Sequence, residues 1–335
     1  MPVRCLALLG SGLDGQLAIA LLQRQGIEVI AATLNTVFTT QATAVRQAAE
    51  RLKIPLVTIL ADAEYFQRVR HPRFGYAREL APCLDCRVHM LRAAKRLLEE
   101  HHANFLVTGD VVGQRMPGQS KRDLALVDFH AGVEGHVLRP LSAKLLEATE
   151  FEQRQDVDRQ RLMGVQGRGR VEQHRLTREL GWGNPPAVTS GCLLADAAFA
   201  HRTQDLLQHA PTATEEHFAL LRLGRHYRID ARTKAIVGRS GDENSELVEW
   251  YDRHGDAGDT LLAPHDFVGP TVLVLGANDE SHLLFASKLL WKHRRVVAQS
   301  PEQVAIRRKT GCADEVVAMF AADLAALDER QIARL

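Results

Sequence analysis

Two thiols separated by two residues, Cys83 and Cys86 in the stretch PCLDC, are the side chains of this chain best suited to chemistry. A Cys-x-x-Cys pair can be a redox dithiol, half of a zinc site, part of an iron-sulfur ligand set, or two small side chains with no chemistry. The chain has three other cysteines, Cys5, Cys192 and Cys312. We interpret Cys5, in the first predicted strand, and Cys312, near the carboxyl terminus, as ordinary small apolar residues. The role of the pair therefore depends on what the fold places beside it.

A glycine loop, GSGLDG at 10–15, is the second candidate for chemistry. It joins an apolar run directly to a helical pattern, and glycines let a backbone turn sharply and approach an anion while the free amides of the helix start point toward it. The loop lacks the spacing of a dinucleotide fingerprint, and it has no G-K-[ST], which excludes a Walker-type P-loop. The pattern predicts a phosphate-binding loop, with a tight turn that binds no ligand as the alternative.

The elements around these motifs alternate between apolar runs and amphipathic segments. Strands are predicted at 5–10, 27–35, 54–60 and 104–110, and helices after the glycine loop and at about 40–52 and 84–101. Strands that are apolar on both faces and separated by helices indicate a doubly wound α/β fold with a parallel sheet. Ligands of such sheets bind at the carboxyl ends of the strands, which is where the glycine loop and Asp110 fall.

Composition limits the remaining choices. A chain of 335 residues with 45% apolar residues is long enough for two folded domains, and a formal net charge of +1 favours no class of partner. The apolar run near the amino terminus is too short for a signal peptide or a membrane span, so we expect a cytoplasmic protein. Thiols remain reduced in that compartment, so clustered cysteines there suggest metal binding or catalysis rather than disulfides.

The second half has a different pattern. The stretch APTATEE at 210–216 is small, polar and proline-bearing, and we interpret it as a hinge. Domains are therefore predicted at 1–210 and 217–335. After the hinge, short β-type runs are interleaved with the helical patterns ENSELVEWYDRH and DESHLLFASKLLWKHRR, which indicates a smaller α+β domain.

The first 200 residues resemble the PP-loop ATP pyrophosphatases, and in particular the branch of 4-thiouridine synthases and 2-thiouridylases. The likeness is carried, in order, by LLGSGLDG, QGIEVIA, PCLDC, TGDVVGQR, LRPLSAKLL and SGCLLAD. The loop departs from the SGGxDS pattern of that family, with Gly10 and Gly15 in place of serines and Ser11 in place of a glycine. The resemblance implies phosphate contact for Gly12 and a magnesium or phosphate role for Asp14.

The resemblance also implies the rest of a site. The nucleotide is expected to contact Gly10, Ser11, Gly12, Asp14, Gly15, Asn35, Gly109 and Arg115. Asp110 is expected to hold magnesium or act as a base toward a uracil, with a turn or helix-capping role as the alternative. Arg115 lies in a polar loop and could offset negative charge at the α-phosphate.

A third cysteine answers the question posed by PCLDC, because the resembling family brings a cysteine at the position of Cys192 beside the Cys-x-x-Cys pair. Three thiolates suit a 4Fe-4S cluster with one iron left open for a sulfide. Three alternatives remain: a persulfide with a resolving thiol, a zinc site, and burial with no chemical role.

The carboxyl-terminal run from KAIVGRS to PTVLVLG resembles the NFACT-R domains, which are RNA-associated. Together the two resemblances imply a tRNA sulfurtransferase that uses ATP and Mg²⁺, adenylates a uridine carbonyl, and accepts sulfur from a sulfide or a persulfide carrier. Arg168 and Arg170, in a basic helical stretch, are expected either to contact the RNA backbone or to lie on a solvated face. The rival hypothesis is a non-catalytic RNA-binding or cluster-binding homologue whose altered loop no longer cleaves ATP.

Overall fold

A five-stranded parallel sheet forms the centre of the first of two compact units, Met1–Asp196 and Ala197–Leu335. The computed structural model describes residues 3–183, 191–276, 279–295, 302–311, 313–325 and 333–335. The elements of the first unit are β1 (Arg4–Leu8), α1 (Leu13–Gln23), β2 (Glu28–Asn35), α2 (Ala42–Leu52), β3 (Leu56–Leu60), α3 (Ala63–Arg70), α4 (Cys83–Glu100), β4 (Phe105–Val107), α5 (Lys121–Ala131), β5 (Val137–Leu138), α6 (Glu150–Gln153) and α7 (Val171–Glu179).

The strand order is β3-β2-β1-β4-β5, and all neighbours in it are parallel. The chain proceeds outward from β1 to β3 on one side and then returns to pair β4 with β1 on the other. The order therefore reverses between β1 and β4, and their carboxyl ends form the crevice in which open α/β sheets bind ligands. The α/β class predicted from the alternating pattern is confirmed.

Helix α1 is the element that presents the glycine loop. It begins directly after the loop, and nearly all of its residues are buried against β1, β2 and α7. An apolar helix with little amphipathicity is typical of a position that is covered on several sides. Burial of this kind fixes the start of the helix, and with it the free amides at that end.

The second unit is built on a seven-stranded sheet with the order β11-β10-β8-β9-β7-β6-β12, in which every pair is antiparallel. Its elements are α8 (Ala197–His209), α9 (Glu215–Leu220), β6 (Arg225–Arg228), β7 (Lys234–Val237), α10 (Gly241–His254), β8 (Thr260–Pro264), β9 (Val272–Leu275), α11 (Glu280–Lys292), β10 (Gln303–Thr310), β11 (Ala313–Phe320), α12 (Ala321–Ala325) and β12 (Ala333–Arg334). The smaller α+β domain predicted from the sequence is confirmed.

Several elements of the fold were not predicted, and two of them are prominent. Helix α3 inserts between β3 and α4, and a long hairpin of β10 and β11 extends the second sheet. Strand β11 is mostly exposed, so its sequence lacks the apolar alternation that marks a half-buried strand.

The segment 210–216 lies inside the second unit, between α8 and α9. Helix α8 belongs to this unit because its Asp205 carboxylate is bound by Arg228 and Lys234, at 2.6 and 2.8 Å. These two partners lie on strands β6 and β7. The composition of 210–216 predicts a loop there, but the ion pairs of Asp205 assign α8 to the second unit.

No helix among the described residues has the length and apolarity that crossing a bilayer requires. Cys312, interpreted above as a small apolar residue, lies outside the described residues.

Candidate functional site

A cleft of about 710 Å³ opens at the carboxyl ends of β1, β2 and β4. The loop after β1 forms one side, the start of α4 and the loop after β4 form another, and a segment that returns from residues 191–192 closes a third. The expected site residues that line it are Gly10, Ser11, Gly12, Asp14, Gly15, Asn35, Cys86, Gly109, Asp110, Arg115 and Cys192.

The glycine loop has the geometry of a helix-terminal anion site. Gly12 is the N-cap residue of α1 with extended backbone, and because glycine has no side chain, the N-cap residue makes no capping hydrogen bond to the first amides of the helix. The Ser11 hydroxyl donates a hydrogen bond to Gln41 Oε1, and Gln16 Nε2 donates to the Ser11 carbonyl at 3.2 Å. These contacts hold the loop open toward the cleft. Gln41, which also lines it, carried no signal in the sequence.

Asp14 is already engaged by side chains of its own unit. Gln114 Nε2 donates to Oδ2 at 2.6 Å, Arg170 Nη1 lies 3.2 and 3.1 Å from Oδ1 and Oδ2, and Gln173 Nε2 lies 3.3 Å from Oδ1. The side chain of Arg170 is therefore turned inward, whereas Arg168 is exposed. The expectation that both arginines contact RNA does not fit the position of Arg170.

Asp110 is similarly enclosed. Its carboxylate is bound by Arg87 and lies 3.6 Å from Arg139 Nε, and it accepts hydrogen bonds from Gln119 at 3.0 Å and Thr108 at 2.9 Å. Burial alone would raise the pKa of Asp110, but the two guanidinium groups and the hydrogen bonds lower it to about 2. A carboxylate of that pKa is a weak base. The arrangement favours a positioning role for Asp110 over the expected catalytic one.

Three arginines supply positive charge to the cleft, namely Arg46, Arg87 and Arg115. Arg87 follows Cys86 on α4 and also donates to the Gly118 carbonyl at 2.5 Å. Arg115, expected from the sequence, is joined here by two cations that the motifs did not indicate. Guanidinium groups around a helix-terminal anion site are suited to a polyphosphate.

Asn35 ends β2 and lines the cleft beside the segment 36–41. Its Oδ1 accepts a hydrogen bond from Thr39 Oγ1 at 3.4 Å. Cys192 reaches this segment across more than 150 residues of sequence. It forms an antiparallel bridge with Thr39, and Leu193 N donates to the Phe38 carbonyl at 3.0 Å.

The cysteines expected at the site come together to different degrees. Cys86 and Cys192 both line the cleft, and Cys83 begins α4 one turn before Cys86 and is exposed. Desolvation raises the pKa of Cys83, with Arg87 and Arg115 acting in the opposite direction. Burial, with the nearby thiols of Cys192 and Cys83, raises the pKa of Cys86 to about 12. The buried hydroxyl of Tyr65, which no sequence motif marked, lies 4.0 Å from the Cys86 sulfur.

These thiols do not form a ligand set for a metal. Across the described part of the chain, no group of three or more His, Cys, Asp or Glu side chains has an arrangement that could hold a metal ion. As the chain is folded here, Cys83, Cys86 and Cys192 do not fit the 4Fe-4S cluster or the zinc site that the sequence suggested, and the enclosed carboxylates of Asp14 and Asp110 do not fit Mg²⁺.

A parallel sheet with a glycine loop after its first strand, an adjacent switch point and flanking arginines defines the first unit as an α/β domain with an anion-binding site at the carboxyl ends of its strands.

Comparison with family models gives one match in each unit of the chain. Residues 3–145 match the family described as thiamine biosynthesis protein (ThiI), and residues 224–327 match the family described as NFACT protein RNA binding domain. The chain thus combines a ThiI-like PP-loop domain with a carboxyl-terminal NFACT-R domain, and the family resemblances drawn from the motifs are confirmed. A comparison with curated proteins gives no match.

Several solved structures are similar to parts of the chain. A complex of a 4-thiouridine synthetase with RNA and bound ATP shares 18% identity over 64% of this chain and 53% of that one, with a TM-score of 0.35. The chain thus spans about half the length of that relative. A predicted subunit of tRNA methyltransferase from Methanocaldococcus jannaschii shares 15% identity over 41% of this chain and 69% of that one, with a TM-score of 0.31. NMN synthetase from Francisella tularensis shares 12% identity over 47% of this chain and 74% of that one, with a TM-score of 0.27.

Proposed function

We propose that the protein is an ATP-dependent tRNA sulfurtransferase. The observation that carries the proposal is the meeting of the glycine loop and two cysteines, Cys86 and Cys192, in one cleft. The ThiI-like family of the first unit and the RNA-binding family of the second support tRNA as the substrate. We propose that the first unit performs the chemistry, that the second binds RNA, and that the protein acts in the cytoplasm.

ATP enters as a substrate, with its triphosphate at the amides of the glycine loop and near Arg46, Arg87 and Arg115. The carbonyl oxygen of a uridine attacks the α-phosphorus, a new P–O bond forms, and the bond to pyrophosphate breaks. This step is needed because a carbonyl oxygen is a poor leaving group, whereas AMP departs readily. Guanidinium groups near the α-phosphate would stabilise the negative charge that develops there.

Sulfur transfer is assigned to cysteines without a metal, because the thiols do not fit one. A persulfide on one of the thiols attacks the activated carbon and displaces AMP, so that the base is held through a disulfide. A second thiol then attacks the cysteine sulfur, which forms a Cys–Cys disulfide and releases the thiolated base. When the donor is a persulfide carrier, an external thiol reductant first restores the two thiols, and the carrier then passes its outer sulfur atom to one cysteine thiolate and leaves as a thiol. When the donor is sulfide, it attacks the Cys–Cys disulfide directly, which leaves a persulfide on one cysteine and a thiolate on the other.

The closeness of the thiols supports this pairing. The charges of Cys83 and Cys192 both raise the pKa of Cys86, and the charge of Cys83 raises the pKa of Cys192. Each pair of thiols is therefore near enough to interact electrostatically. Cys192 also accepts backbone hydrogen bonds from Leu194 and Ala195, which favour its thiolate.

The rival candidate is an RNA-binding homologue that does not turn over. It is favoured by the glycine loop, which has glycines in place of two hydroxyls and whose remaining hydroxyl, that of Ser11, is bound to Gln41. The test is release of pyrophosphate from ATP in the presence of tRNA, together with AMP formation and sulfur incorporation into tRNA.

Turnover that depends on tRNA and is lost in Cys192→Ser supports the sulfurtransferase. RNA binding that does not respond to ATP, with no pyrophosphate released, supports the rival. Pyrophosphate release without any need for tRNA would instead indicate adenylation of a small molecule.

A further inference from the structure

The carboxylate of Asp14 lies in the first turn of α1 with 8% of the residue exposed, and it faces the cleft. Three side chains bind it, each from a different place in the sequence: Gln114 from the loop after β4, Arg170 from the residue before α7, and Gln173 from within α7. Gln173 also donates to Gln114 Oε1 at 3.0 Å, which closes the group into a network. We call these four residues the Asp14 network.

Arg170 is held in this place by the fold. It is the N-cap residue of α7, and the loop before it is anchored on the loop after β4. Gln166 forms a parallel bridge with Val112, and Gly167 N donates to the Val112 carbonyl at 2.8 Å. The side chain of Arg170 is only 18% exposed. Arg170 therefore binds the glycine loop through Asp14 and does not extend into solvent.

A second anchor comes from Ser142, which is fully buried. Its hydroxyl donates to the Val165 carbonyl at 2.6 Å and accepts from Val112 N at 3.0 Å. This side chain ties the two loops together, so the position of the Arg170 guanidinium relative to Asp14 follows from backbone contacts that do not involve either residue.

An ionised carboxylate offers about four lone-pair positions, and the Asp14 carboxylate has four donor contacts. A divalent cation would have to displace at least one of these donors. Displacement of Arg170 would leave a largely buried guanidinium without its partner, which is a costly arrangement. Arg170 already supplies the positive charge that a metal ion would bring to this carboxylate.

We propose that Arg170 is the permanent counter-cation of Asp14, and that the glycine loop receives the polyphosphate of its nucleotide with no divalent metal on that carboxylate. The nucleotide part of this inference rests on the proposed function, but the part about the metal does not. Arg170 is then a positioning residue, since it acts through Asp14. The charge of the polyphosphate is met by the arginines that line the cleft, Arg46, Arg87 and Arg115.

The test uses Mn²⁺ alone, followed by electron paramagnetic resonance, on the full chain without nucleotide. Wild type and Asp14→Asn are expected to give the same binding isotherm. Arg170→Gln should gain a Mn²⁺ site, because Asp14 loses its counter-cation and the buried Oε1 atom of Gln173 already lacks a hydrogen-bond partner. The double variant with Asp14→Asn should lose that site. Arg168→Gln, which removes an exposed arginine two residues away, is the matched control and should behave as wild type.

Tighter Mn²⁺ binding by wild type than by Asp14→Asn would overturn the inference, as would the lack of any gain in Arg170→Gln. Should Asp14→Asn fail to fold, judged by its circular dichroism and melting, the comparison of wild type with Arg170→Gln decides alone. In that comparison, a gain supports the inference and equal binding overturns it.

A second arm separates this inference from the proposed function. The affinity of wild type for a non-hydrolysable ATP analogue should differ by less than about tenfold, or about 1.4 kcal/mol, between EDTA and Mg²⁺. A larger dependence on Mg²⁺ that disappears in Asp14→Asn contradicts the inference. Failure of the analogue to bind under either condition contradicts the proposed function, and the Mn²⁺ result then still decides the inference.

Discussion

Gly109 and Gly15 pack backbone to backbone where the loop after β4 meets the glycine loop. A Cβ atom on Gly109 would lie 2.4 Å from Gly15 N and 2.5 Å from Gly15 Cα. The backbone at this point cannot yield as a flexible side chain would, so only glycine fits. This contact fixes the distance between the two loops that form the nucleotide end of the cleft.

Gly109→Ala is therefore expected to push the glycine loop out of place. Overpacking of this kind typically costs about 1–3 kcal/mol of stability, and we expect nucleotide affinity to fall at least tenfold. Binding of an ATP analogue and urea unfolding measure the two effects. Gly169→Ala is the control, because a Cβ there meets no atom within 4 Å. Equal affinity in Gly109→Ala and wild type would show that the loop can move aside.

Asp110→Asn should weaken the folded state strongly at neutral pH. Arg139 is 5% exposed and is shared between Asp110 and Asp128, so loss of the Asp110 charge removes part of its compensation. Breaking a buried ion pair costs about 3–5 kcal/mol. Urea unfolding of wild type and variant at pH 7 measures the difference.

The pH dependence of that difference follows from the lowered pKa of Asp110. With a folded pKa of about 2 against an ordinary value of 3.8, the contribution of its charge is fully present above about pH 4 and is lost as the pH falls toward 2. The gap in stability between wild type and Asp110→Asn should shrink by about 2 kcal/mol over that window. A gap that stays constant would mean that the charge of Asp110 is not what stabilises the fold.

Alkylation should rank the cysteines by exposure and thiolate content. Cys83 and Cys192 are exposed, and burial raises the pKa of each. Cys86 is half-buried and has a pKa of about 12, and Cys5 is fully buried. The thiolate is the reactive form. Iodoacetamide at pH 8 is expected to label Cys83 and Cys192 first, Cys86 at least tenfold more slowly, and Cys5 only after unfolding. Peptide mass spectrometry measures each rate, and fast labelling of Cys86 would contradict the raised pKa of its thiol.

Lys234 in the second unit should make stability rise with pH in the alkaline range. Its ammonium is 4% exposed and is paired with Asp205 at 2.8 Å, and burial lowers its pKa to about 8. Between about pH 8 and 10.5 the unfolded chain binds the proton more tightly than the folded one, so stability increases with pH in that window. The gain is at most about 3 kcal/mol.

Urea unfolding of wild type and Lys234→Met between pH 8 and 10.5 tests this prediction. Methionine has no charge to titrate, so the stability of the variant should not rise over that range. Lys292→Met, at an exposed position, is the control and should rise as wild type does. If wild type and Lys234→Met change in parallel from pH 8 to 10.5, Lys234 is not the group responsible.

The sequence by itself determined the local part of this structure. Apolar runs separated by amphipathic segments specify a parallel sheet, and the glycines at 10–15 mark the turn at the end of its first strand, because both signals depend on residues that are neighbours in the chain. The same is true of the Cys83 and Cys86 spacing at the start of α4.

Only the tertiary structure decided which distant residues share the cleft. The bridge between Thr39 and Cys192, and the reach of Arg170 to Asp14, join segments more than 150 positions apart through packing of helices and loops that no periodicity encodes. The same packing encloses Asp110 and leaves the three thiols without a common ligand geometry among the described residues. It also pairs Arg170, which the sequence analysis considered as an RNA contact, with Asp14 of the glycine loop.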